Sequence, residues 1–368
     1  MKILTSLLVL LSLTSAFTHA ADPQVLRIIN WGEYISPDVI ADFEKTYNAK
    51  VEYTGYYSLE EFASLYFDPE TQYDVVFPAS RIIPKLTELQ MLQPLDLKQL
   101  PRFDQLRADV LRQYQQQESG TPHGVPYMWG TTGLGVNVGQ LEKQGIAEYK
   151  DSWALLFDPE VRSKAAQCGI ALLNERDELF AAALTYLGHS VNTTEKEALA
   201  AAGRLLRESL SDAKYLHANQ HRQDLANGRI CVAVGYSGNI LFDISGLDDY
   251  AYFIPREGAA MWIDVMAVDK KSPQKALAYQ FIDFLMQAPN AAINTNLMSF
   301  PTAMASAEPL IDSAIIDNQA IYPSQARLSQ LEALMPMPKK TARMKHKLWV
   351  SAICSGRSWC SVPMSSYF

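Results

Sequence analysis

The residues with most chemical capacity in this chain are carboxylates set within a few positions of large aromatic rings. Asn30-Trp31-Gly32-Glu33-Tyr34 puts Glu33 between two rings, and Met261-Trp262-Ile263-Asp264 sets Asp264 two residues after Trp262. Tyr236-Ser237-Gly238-Asn239 closes a β-rich run with a ring and an amide. Glu175 and Glu178 form a further pair, which an already helical segment would turn to one face. Aromatic faces attract an organic ammonium and cover its methylenes, while carboxylates neutralise it. The combination suits capture of an organic cation. Motifs for turnover are missing: there is no GxSxG, HExxH or P-loop spacing, and Gly130-Thr131-Thr132-Gly133-Leu134-Gly135 reverses a dinucleotide fingerprint. His217 and His221 have the spacing of a metal pair on a helix but lack a third ligand. No CxxC or Cys/His spacing occurs either, so no metal and no cofactor is expected.

These residues fall where strands end. Val25–Asn30, Ala49–Thr54 and Tyr73–Pro78 read as strands, with helices at Val39–Tyr47, capped by Ser36-Pro37, and at Leu59–Tyr66. The alternation resumes with strands at Gly169–Leu173, Ile230–Gly235 and Trp262–Val268, and helices at Glu178–Leu187, Lys196–Leu210 and Ala276–Met286. Strands separated by helices predict parallel, helix-covered α/β sheets, whose ligands bind at strand carboxyl ends. Pro122–Tyr127 and Ile254–Gly258 read as breaks between two α/β bodies.

Composition sets the wider limits. The chain has 368 residues, Lys+Arg 32 against Asp+Glu 40, a net charge of −8 and 48% hydrophobic residues. That excludes a disordered or low-complexity protein and suits two lobes. It disfavours a non-specific nucleic-acid binder, which needs a basic face. Met1-Lys2, the apolar run Ile3–Leu13 and Thr18-His19-Ala20 form an export signal with a cut after Ala20. The run is too short to span a bilayer, and no Cys near the cut suggests a lipid anchor. An oxidising compartment permits disulfides. Cys168 and Cys231 flank or lie in two β-rich runs of one sheet, so they fit either a bridge or two buried thiols.

Taken together, Asn30–Tyr34, Tyr73–Pro78, Pro126–Gly133, Leu225–Ala233, Glu257-Gly258 with Met261–Asp264, and Ile321-Tyr322-Pro323 resemble the periplasmic putrescine/spermidine-binding proteins of ABC transporters. The resemblance, to bacterial solute-binding protein family 1, runs in collinear order from about Val25 to Trp349. It implies a two-lobe periplasmic-binding-protein fold of type II, each lobe a helix-covered, mainly parallel sheet, joined by two hinge crossings. Lobe 1 would be residues 21–130 plus 263–305, and lobe 2 residues 131–262 plus 306–368, after a signal at 1–20. It implies a monomeric polyamine binder in the periplasm, not an enzyme, that serves an inner-membrane permease. It pairs Cys168 with Cys231. It assigns ligand contacts to Trp31, Glu33, Tyr34, Ser80, Glu175, Glu178, Tyr236, Asn239, Trp262, Asp264 and Phe300.

Some positions depart from the family. Asn239 stands where the putrescine branch has an aspartate, Phe300 where a ligand-contacting Tyr is common, and Tyr236 where many members have Trp. Arg81 lies in a turn where relatives have small hydroxyl or aromatic residues; inside a diamine pocket it would repel the ligand unless paired or turned outward. These departures keep a second role open, a polyamine sensor reporting to a membrane signalling receptor. The tail beyond Trp349, with Cys354, Trp359 and Cys360, does not continue the family's usual ending.

Overall fold

The computed structural model describes residues 22–118 and 120–355. The export signal, Trp359 and Cys360 lie outside the described residues. Local chemistry starts the elements where the sequence predicts. Ser36 caps the helix Pro37–Tyr47 by accepting the Asp38 N–H at 3.3 Å, with Pro37 in the first turn, where its missing N–H costs nothing. Ser58 caps Leu59–Tyr66 in the same way through the Glu61 N–H.

The strands are β1 (Gln24–Trp31), β2 (Ala49–Tyr56), β3 (Val75–Val76), β4 (Gly124–Asn137), β5 (Ile170–Leu173), β6 (Tyr215–His217), β7 (Val232–Tyr236), β8 (Tyr250–Phe253), β9 (Ala259–Val268) and β10 (Leu331–Ala333). Their spatial order is β2-β1-β3-β9-β4-β7-β5-β6, with β10 on β9 and β8 on β4. In one half β1 runs parallel to β2 and β3, and β9 closes antiparallel on β3. In the other, β5 runs parallel to β6 and β7. β4 belongs to both: residues 124–131 pair with β9, and residues 132–137 pair with β7 and β8. The chain returns from β8 to β9 through residues 254–258. These are the two extended crossings of a type II two-lobe α/β fold, with the strand carboxyl ends of both halves turned to the space between.

One sequence reading is corrected here. Pro122–Tyr127 is not a break, because β4 starts at Gly124 and is buried along its 14 residues. Pro126 is tolerated because the β4–β9 register shifts between Pro126 and Met128, where no ladder N–H is required.

Two features secure the second half. A disulfide joins Cys168, at the end of the helix Pro159–Cys168, to Cys231 just before β7, with Cα atoms 5.5 Å apart. The tail forms the helix Lys339–Cys354, which buries Trp349, Ala352 and Ile353. It lies against the helix Lys196–Asp212, where Gly203 leaves room for Leu348. Cys354 is itself disulfide-bonded.

Candidate ligand cleft

The ends of β1 and β2 and the middle of β9 from one half, and the end of β7 and the start of the helix Arg176–Tyr186 from the other, meet around a cavity. The space around it, open mouth included, is about 630 Å³. One wall is aromatic. Tyr236, Trp262, Phe300 and Tyr34 follow one another edge to face, with centroids 5.6, 5.2 and 5.3 Å apart. Trp31 lies over Tyr56 beside them at 4.4 Å. Two glycines make this wall possible. A Cβ on Gly130 would overlap the Trp262 ring, and one on Gly238 would overlap Phe300. Both sites therefore need a residue without a side chain.

Asp264 sits at the centre of this wall, buried in β9, and accepts the Tyr34 hydroxyl at 2.9 Å. Burial pushes its carboxyl up to about 7, although the Tyr34 bond and the nearby Arg81 favour the ionised form. Glu178 comes from the opposite half. Its helix is buried from Glu178 to Leu184, so the first turn carries the carboxylate inward. Thr132 donates to Glu178 Oε2 at 2.8 Å, while the buried Oε1 has no hydrogen bond and stands 3.8 Å from Arg81 Nη1. Burial raises the Glu178 pKa in spite of that cation.

Of the residues the sequence nominated, Trp31, Tyr34, Glu178, Tyr236, Asn239, Trp262, Asp264 and Phe300 line the cavity. Three do not. Glu33 adopts a left-handed backbone, φ 57°, which directs its side chain outward to 71% exposure, 3.7 Å from Arg222. Glu175 is the extended cap residue before Arg176 rather than part of the helix, so it does not share a face with Glu178. It is half-buried, accepts the Leu59 N–H at 3.3 Å across the cleft, and is pushed up to about 7 by desolvation. Ser80 begins the turn Ser80–Ile82 and is buried, while its neighbours Ala79 and Arg81 face the cavity.

The structure turns Arg81 inward, and its side chain is 13% exposed. Sequence reasoning missed Tyr56, Tyr57, Asn219 and Arg222, which also line the space. The two tyrosines lay within reach: β2 runs to Tyr56, two residues past the predicted end, so the strand-end rule would have found them. Arg222 carries no local signal. The supposed helical pair of histidines is divided, with His217 ending β6 and His221 in the helix Gln220–Ala226. His217 Nδ1 accepts the N–H groups of Asn219 and Gln220, and burial pushes His221 down to about 3.

A cleft of rings and acids between two α/β lobes, spanned by polar contacts from each side, defines a ligand-capturing binding protein. The chain belongs to the bacterial extracellular solute-binding protein family, whose model matches residues 38–323. It is 35% identical over 360 residues to a putrescine-binding periplasmic protein of Pseudomonas aeruginosa, covering 95% of this chain and 98% of the relative. It is 32% identical over 343 residues to a putrescine-binding periplasmic protein of Escherichia coli, covering 91% and 93%. The substrate-binding protein of a spermidine/putrescine ABC transporter from Streptococcus pneumoniae shares its fold, with TM-score 0.76 at 23% identity over 89% of this chain and 98% of that one.

Proposed function

We propose that this chain is a periplasmic solute-binding protein that captures an amine of the polyamine class in the interlobe cleft and delivers it to an inner-membrane ABC importer. It performs no chemical step. The observation that carries this reading is the buried Asp264 framed by Trp31, Tyr34, Trp262 and Phe300. Rings and a carboxylate together replace the water that an alkylammonium loses on entering. The curated relatives named above are binding proteins, which supports transport and lends nothing to the sensor alternative. Among the described residues we place lobe 1 at 22–130 with 259–305 and lobe 2 at 131–258 with 306–355, the second boundary falling at the crossing before β9 rather than at 262. Closure follows from binding because only the closed state touches the ligand from both sides.

The test is a thermal-shift panel of mono-, di- and polyamines, free and N-acylated, with neutral α-amino acids and sugars as controls. An amine at about 100 times its Kd should raise stability by about 2.7 kcal/mol. If no amine shifts the melting temperature, the assignment fails.

A further inference from the structure

The charges lining the cleft do not form a simple diamine site. They are Arg81 and Arg222 against Glu178 and Asp264. Arg222 is committed elsewhere, holding both oxygens of Asp243 at 2.6 and 3.1 Å. Arg81 stands beside Glu178 at 3.8 Å, so the protein already places its own cation next to that acid. Among the described residues Asp264 has no cation at ion-pair distance, and it accepts the Tyr34 hydroxyl. One carboxylate in the cavity is therefore left for a ligand ammonium, and a second ammonium near Glu178 would face a like charge.

Arg81 also has capacity in hand. A guanidinium carries five N–H donors in a planar fork. Its side chain is mostly buried, and among the described residues it makes no side-chain hydrogen bond, only the ion pair with Glu178. None of its nitrogens is a fully buried orphan, so the fork keeps contact with the cavity it lines and is open to an acceptor that arrives with the ligand. Asn239 lines the same cavity, and its amide makes no side-chain hydrogen bond among the described residues. It adds a donor and an acceptor but no charge.

From this juxtaposition we infer that the cleft takes an amine with one free ammonium, held by Asp264 and the rings, and a hydrogen-bond acceptor at its other end, held by Arg81. The acceptor is an amide carbonyl, as in a mono-acylated diamine, or a carboxylate, as in an ω-amino acid. The inference rests on the cleft being an amine site and narrows the ligand within that reading.

Isothermal titration of the exported chain with N-acetylputrescine, γ-aminobutyrate, putrescine and spermidine tests it. The wild type should bind at least one of the first two at least tenfold more tightly than either free polyamine, and which of the two wins separates amide from carboxylate. Arg81→Ser should reverse the order by admitting putrescine. Arg81→Lys keeps the charge and loses the fork. It should still reject putrescine while weakening the capped amine at least fivefold, so it serves if Arg81→Ser fails to fold. Wild-type binding of putrescine or spermidine as tight as that of the capped amines overturns the inference and leaves the amine reading standing. Silence toward all four compounds overturns both.

Discussion

Binding in this cleft should be linked to proton release at Asp264. Burial holds its carboxyl near 7 in the unliganded protein, and the groups facing it are Tyr34, Arg81 and Glu178. An ammonium beside it favours the ionised form, so the complex keeps Asp264 charged across the neutral range. At about pH 6 the free protein must then give up its proton before the cation can bind well. For one acid at about 7, the apparent Kd should be about tenfold weaker at pH 6 than at pH 8, with close to one proton released per ligand at the lower pH. Stability without ligand runs in a related direction. The folded pKa lies above the ordinary 3.8, so between about pH 4 and 7 the native state holds more protons than the unfolded chain. Unliganded stability should therefore fall as pH rises through that window, by up to about 4 kcal/mol from this group. Titration calorimetry at three pH values, each in two buffers of different ionisation enthalpy, measures both affinity and proton count. Asp264→Asn should bind weakly with a flat pH profile. Equal affinity at the two ends of the range, with no proton released, would refute the reasoning.

Two further outcomes follow from the scaffold. The Cys168–Cys231 disulfide closes a sequence separation of 63, so replacing both cysteines with alanine should cost about 4 kcal/mol in the chain-entropy account. Denaturant melts of the oxidised wild type and the double variant check this, and a difference below about 1 kcal/mol would count against that account. Gly130→Ala places a methyl in the Trp262 ring, so it should displace that wall and weaken ligand binding at least about tenfold with the overall fold retained. Tryptophan fluorescence and titration read the change; unaltered affinity would mean that Trp262 does not frame the ligand.

Much of the frame was legible because its causes are local. Leu59–Tyr66 was delimited without error, since a Ser cap and an amphipathic period act over a few residues. The rings Trp31 and Tyr236 stood at the ends of β1 and β7, where an α/β sheet opens its sites, whereas Asp264 reaches the cleft from the middle of β9. The errors fall where a side chain's direction depends on distant chain. Pro126 looked like a break until β9 supplied a shifted partner.

The amino-acid sequence by itself determined the class of molecule: alternating strands and helices, an aromatic and acidic set, and a disulfide-capable pair of cysteines. Tertiary structure alone decided which charges the ligand meets. Glu33 leaves the cleft because a left-handed turn points it outward, toward Arg222 from 189 residues away in the chain. Arg81 enters it because Glu178, carried in by a buried helix of the other half, offers a carboxylate that offsets part of the cost of burying a cation. Neither partner is a sequence neighbour, and the balance between desolvation and pairing exists only once the two halves are brought together.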